Sequence, residues 1–165
     1  MKVIFSHGKE SGPWGSKIKK LAGTATRLDC SVDSIDYSST AIPEERVDML
    51  CEYLENETEP FVLVGSSMGG YVSLLAAHKC SPLGLFLLAP ALYMDGYAHQ
   101  EYKTDLPNIA IVHGWSDDVI PVGNSIRFAK IAKCSLHLID GDHRLNSSIE
   151  RVDMLFSSYL NVLAE

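Results

Sequence analysis

No stretch of this sequence gathers positive charge, pairs cysteines at metal-binding spacing, or stays apolar for long enough to cross a membrane. Fourteen Lys and Arg stand against 21 Asp and Glu, a formal net charge of −7. Phosphate binding needs a concentrated basic surface, so nucleic acid is not an expected partner. The one basic cluster, Lys17, Lys19 and Lys20 with Arg27 beyond them, falls on an expected helix and reads as a solvated face. Cys30, Cys51, Cys80 and Cys134 form no C-x-x-C pair, which argues against a structural zinc site and for buried thiols in a reducing compartment. The apolar run after Met1-Lys2 stops at Ser6-His7-Gly8, too short for a signal-peptide core. No segment approaches the length of a membrane span. A cytoplasmic protein is the expectation. Neither G-x-G-x-x-G nor G-x-x-x-x-G-K-[ST] occurs, so nucleotide binding has no motif behind it.

What is present is enough apolar material, 46% of the chain, for residues 1–165 to form one domain with its own core. Short apolar runs alternate with longer amphipathic ones. Strands are expected at Val3–Phe5, Val32–Tyr37, Phe61–Val64, Leu83–Ala89, Ile109–Val112 and Leu136–Ile139. Helices are expected from Ser16, as cap, to about Leu28, from Pro43 to Glu55, from Tyr71 to Lys79, from Gly123 to Ala132 and from Ser147 to Leu163. Residues 90–107 show no period. Repeated strand-then-helix units predict an α/β protein, a three-layer α/β/α sandwich with a mostly parallel sheet. In such sheets ligands bind beyond the carboxyl ends of the strands, so the loops after strands are where chemistry is sought.

Gly65-Ser66-Ser67-Met68-Gly69 fits G-x-S-x-G. Chance alone supplies that pattern in roughly one chain in twenty of this length. Its position is the stronger signal, because it directly follows the Phe61–Val64 strand and directly precedes a helix. A sharp reversal there exposes the Ser67 hydroxyl, and Gly65 and Gly69 leave room for it. The helix N-terminus turns free N–H groups toward developing negative charge, which makes the Met68 N–H a candidate oxyanion donor. A Gly-rich turn that only caps a helix is the plainer alternative.

A serine nucleophile needs a base, and the base an orienting acid. Of six histidines, His143 follows the last strand, in Asp140-Gly141-Asp142-His143. His137 lies within that strand, His78 on a helix, and His99 in the irregular segment, where it is a weaker second candidate. Asp117 and Asp118 follow the Ile109–Val112 strand. The order Ser67, Asp117, His143 suits a Ser–Asp–His triad. After the first strand, the Lys9 N–H is the candidate for the second oxyanion donor, Gly8 permits close approach, and His7 braces the loop. Trp14 either walls the site or packs on the first helix. Tyr93, Met94, Tyr97, His99 and Tyr102 either form a small lid and substrate-binding wall or pack on the domain surface.

His-Gly after the first strand, Gly-Ser-Ser-Met-Gly-Gly, His-Gly-Trp-Ser-Asp-Asp-Val-Ile-Pro and Gly-Asp-His-Arg together resemble the α/β-hydrolase superfamily, and within it small bacterial esterase-like members of the YqiA/YcfP kind. The resemblance covers nearly the whole chain. It implies a minimal α/β-hydrolase fold with little or no cap. It puts the acid on Asp117, the base on His143 and the oxyanion donors on Lys9 and Met68. It implies cofactor-free hydrolysis, with a small-molecule ester or thioester as the expected substrate and no metal. A non-catalytic ligand- or protein-binding module on the same scaffold is the rival reading, since fold does not fix function.

Overall fold

The computed structural model describes all 165 residues, Met1–Glu165. Six strands form one sheet: β1 (Lys2–Ser6), β2 (Ser31–Ile35), β3 (Phe61–Ser66), β4 (Gly84–Leu88), β5 (Ile109–Gly114) and β6 (Ser135–Ile139). Their spatial order is β2-β1-β3-β4-β5-β6, and every neighbouring pair is parallel. Five helices connect or follow them: α1 (Ser16–Arg27), α2 (Pro43–Leu54), α3 (Met68–Cys80), α4 (Val122–Ala132) and α5 (Ile149–Ala164).

The strands alternate side chains between two cores, as a pleat requires. Ile4, Leu63, Leu85, Leu87 and Ile111 face α2, α3 and α4, where Leu50, Leu74 and Phe128 meet them. Val3, Phe5, Val62, Val64, Phe86 and Val112 face α1 and α5, where Leu21, Ala25, Val152, Phe156 and Leu160 close the other layer. Because both faces are covered, β1, β3, β4 and β5 read as unbroken apolar runs. The edge strands β2 and β6 keep partly exposed residues.

Local chemistry accounts for the helix starts. Pro43 occupies the first turn of α2, and Glu44 and Glu45 lie where the dipole favours negative charge. Four starts differ from expectation, α4 by one residue (Val122 for Gly123) and α5 by two (Ile149 for Ser147). Ser16 is already inside α1, with Gly15 as the cap and no side-chain capping bond. Helix α3 begins at Met68, because the turn at Ser67 is itself the helix entry. A 3₁₀ turn, Asn146–Ser148, precedes α5. Residues 90–107 hold no helix or strand.

From β1 the chain passes to β2 on one side and later returns to β3 on the other. The carboxyl ends of β1 and β3 therefore flank the topological switch point, the usual crevice for a ligand in an open α/β sheet.

Candidate active site

Ser67 stands at that crevice, between the end of β3 and the start of α3, with φ 55° and ψ −119°. A serine at positive φ costs on the order of 1–3 kcal/mol and persists only where its surroundings hold it. Here its N–H donates to the Leu88 carbonyl at 2.9 Å, and its own carbonyl accepts from the N–H groups of Gly70 and Ala91, both at 2.9 Å. The reversal also demands bare backbone on either side. A Cβ on Gly65 would lie 2.3 Å from the Gly69 carbonyl oxygen, and one on Gly69 would lie 1.9 Å from that of Ser6.

Two loops bring His143 and Asp117 to this point. The Trp115 N–H donates to the Ile139 carbonyl at 2.9 Å, and the Ser116 N–H to the Gly141 carbonyl at 3.0 Å, so the segments following β5 and β6 are tied together. His143 Nδ1 lies 2.8 Å from Asp117 Oδ2, and His143 Nε2 lies 3.0 Å from Ser67 Oγ. A carboxylate can only accept, so Nδ1 carries the proton and Nε2 is left to accept from the serine hydroxyl. The Asp117 side chain is wholly buried. Its Oδ1 accepts from the N–H groups of Val119 and Ile120, both at 2.8 Å. Burial by itself would raise this carboxyl, but the hydrogen bonds from His143, Ile120 and Val119 outweigh it and hold the group below the ordinary carboxylate range.

Asp117 has one more neighbour. His113, fully buried at the end of β5, places Nε2 3.0 Å from Asp117 Oδ2 and 3.0 Å from the Ile120 carbonyl oxygen. Both are acceptors, so Nε2 is protonated, and Nδ1 accepts from the Ser125 hydroxyl at 2.7 Å. Burial lowers the His113 pKa, which favours a neutral ring behind the acid.

The loop after β1 supplies backbone donors. The Gly8 Cα packs on Ser67, its missing Cβ falling 3.5 Å from Ser67 Cβ. The Gly8 carbonyl accepts from His7 Nδ1 at 2.7 Å and from the Arg46 guanidinium at 3.1 Å. His7 Nε2 in turn accepts from the Tyr37 N–H at 3.0 Å. In a trans peptide the N–H opposes the carbonyl, so these two donors also aim the Lys9 N–H away from themselves. Neither the Lys9 N–H nor the Met68 N–H has an acceptor within the chain. Arg46 is 2% exposed and was no part of the sequence expectation. Its partners are carbonyls of Gly8, Lys9 and Thr40, which leave no residue-type signature.

A cleft of about 600 Å³ opens over Ser67 and His143, bounded by residues 7–12 and 15–18, Met94, Tyr97, Val119, Ile120 and Arg144. Of the three expected substrate contacts, Tyr97 lines it, whereas Trp14 and Tyr93 do not. Trp14 is 41% exposed. Tyr93 lies under the Arg127 guanidinium, 3.8 Å from its ring centroid, and packs edge-on against Tyr102. The 90–107 segment is pinned to the domain: the Ala98 N–H donates to Glu44 and the His99 N–H to the Tyr71 hydroxyl. His99 is exposed and does not reach the serine. Lys17, expected on a solvated face, is half-buried in the cleft. The reason is topological: a helix that follows a parallel strand begins at that strand's carboxyl end, so the first turn of α1 overlooks the crevice. No three His, Cys, Asp or Glu side chains converge where a metal ion could sit.

The fold has many solved counterparts. A protein of the α/β-hydrolase superfamily from Xanthomonas campestris pv. campestris superposes with a TM-score of 0.89 at 28% identity, over 98% of each chain. The chain has the α/β-hydrolase fold. Est1E from Butyrivibrio proteoclasticus shares 19% identity and a TM-score of 0.79, over 99% of this chain and 88% of its own. The type II thioesterase BorB of the borrelidin biosynthetic cluster shares 14% identity and a TM-score of 0.79, over 97% and 91%. At those identities the likeness is one of α/β-hydrolase fold. No protein-family model matches the chain, and no curated protein matches it in sequence. No helix is long and apolar enough to cross a membrane.

Proposed function

We propose that this α/β-hydrolase is a serine hydrolase that cleaves small carboxylic esters or thioesters through an acyl-enzyme on Ser67. One observation carries the reading: the unbroken hydrogen-bonded chain from Ser67 Oγ through His143 to the buried Asp117. Among solved structures of the same fold, one is named a thioesterase and another holds ferulic acid on Est1E, which fits acyl chemistry.

In the proposed cycle His143 Nε2 takes the Ser67 proton as Oγ attacks the carbonyl carbon. The oxyanion that forms accepts hydrogen bonds from the Met68 and Lys9 N–H groups, whose directions are preset by the turn and by the His7 and Arg46 contacts. Preorganised donors of this kind are each worth roughly 10²–10³ in turnover. His143 then gives its proton to the departing alcohol or thiol, leaving an ester on Ser67. Water attacks that ester with His143 again as base, which frees the acid and restores the serine. Asp117 keeps the imidazole in the competent tautomer and stabilises its cation without taking the proton.

The test is labelling by a fluorophosphonate beside Ser67→Ala and His143→Ala. Wild type is expected to label and both variants to lose labelling, with turnover of a reactive ester falling on the order of 10⁶ in Ser67→Ala. A folded wild type that does not label overturns the reading in favour of a binding module.

A further inference from the structure

Lys17 is a charged, partly buried group in the cleft that the mechanism leaves unused. It lines the same cleft as His143 and Ser67. Its ammonium makes one hydrogen bond, to the Arg144 carbonyl at 3.1 Å. No carboxylate oxygen comes within 4.0 Å of it. An ammonium has three donors, so two have no partner within the protein. Lys20, on the same helix, is by contrast paired with Glu150 at 2.9 Å and Asp153 at 3.8 Å. Lys9 and Arg144 also line the cleft and also lack carboxylate partners, while Glu10 is the only acid on its wall. Three cations thus face one anion on a chain whose net charge is −7. Drawing a cation part-way out of water without a counter-charge costs free energy. Burial pushes the Lys17 ammonium down to about 8, although Asp142 and Asp117 pull it up. A substrate anion would supply the missing partner.

We infer that the cleft selects substrates carrying an anionic group, carboxylate or phosphate, near the scissile bond, with Lys17 binding it and Lys9 and Arg144 adding to the local positive field. The inference rests on the hydrolase reading for the reaction but not for the binding. A charge-assisted hydrogen bond of this kind is worth roughly 10- to 100-fold in affinity.

The experiment compares esters that differ by one charge: 4-nitrophenyl hydrogen adipate against 4-nitrophenyl methyl adipate for an anion on the acyl side, and 4-acetoxybenzoate against its methyl ester for one on the alcohol side. In wild type, kcat/KM is expected to favour the anionic member of at least one pair by about tenfold or more. Lys17→Met should collapse that ratio toward one, and Lys17→Arg should restore most of it. Inhibition of methyl-adipate turnover by adipate and by inorganic phosphate separates the two anions. A ratio near one in wild type overturns the inference. So does a Lys17→Met variant that slows both members equally, since Lys17 would then only tether the His143 loop through Arg144. Calorimetric titration of Ser67→Ala with both adipate esters, repeated in Ser67→Ala/Lys17→Met, keeps binding apart from chemistry. If wild type turns over no ester, tighter binding of the anionic ester that depends on Lys17 upholds the subsite and removes the hydrolase; equal binding removes the subsite.

Discussion

Replacing Asp117 by Asn changes one atom in a place where every neighbour is a donor. Oδ1 receives two backbone N–H groups, from Val119 and Ile120, at 2.8 Å each. Oδ2 receives His143 at 2.8 Å and faces His113 Nε2 at 3.0 Å. An amide has only one acceptor oxygen, so its NH₂ must displace one of these arrangements. Setting NH₂ against the two backbone donors would strand both of them. Setting it at the Oδ2 position is cheaper, because His113 keeps the Ile120 carbonyl at 3.0 Å. His143 must then accept at Nδ1 and carry its proton on Nε2, where it can no longer take the serine proton. The expected loss in kcat is about 10⁴, or roughly 5.5 kcal/mol in the barrier. The fold loses a charge-assisted bond worth roughly 1.5–3 kcal/mol, which lowers Tm by about 3–12 °C for a chain of this size. Steady-state turnover of a chromogenic ester and the fluorophosphonate labelling rate measure the first effect, and a thermal melt the second. A folded Asp117→Asn within tenfold of wild type in both kinetic assays would refute this account of the acid.

Two further outcomes follow from the geometry. Gly69→Ala would put a methyl 1.9 Å from the Ser6 carbonyl oxygen at the end of β1; overpacking against backbone of about 3 kcal/mol should lower Tm by roughly 6–12 °C, and a shift under 2 °C would show that the elbow has room to relax. The preference for an anionic ester over its neutral partner should hold below about pH 8 and decline above it, because Lys17, depressed by burial and by Arg144 against the pull of Asp142 and Asp117, loses its charge there; reading the ratio at each pH cancels the titration of the base, and a ratio flat to pH 10 would exclude Lys17 as the source.

How much of this was legible beforehand depended on how far apart the interacting groups lie along the chain. Strand and helix follow from local periodicity, and the parallel sheet follows from their alternation, since a right-handed crossover through a helix is how one strand reaches its parallel neighbour. The elbow at Ser67 was legible because its requirements, small residues two positions away and a strand–helix junction, are all local. So was the placement of Asp117 and His143 just beyond their strands. Their meeting at 2.8 and 3.0 Å was not, since it depends on the ties from Trp115 to the end of β6 and from Ser116 to the loop after it. Arg46 and His113 were hidden for a related reason: each works partly through backbone carbonyls, which every residue possesses. Aromatic character marked Trp14 and Tyr93 as worth burying but could not say against what, and Tyr93 found Arg127 rather than the cleft. Lys17 looked like any lysine on a basic stretch, and only the siting of the α1 N-terminus at the switch point turned it inward. The sequence by itself determined the architecture and the edge of the sheet on which the candidate chemistry stands, because those rest on patterns within a few residues. Tertiary structure alone decided which charges face the cleft and which carbonyls are held, because those depend on contacts between segments that the chain brings together only on folding.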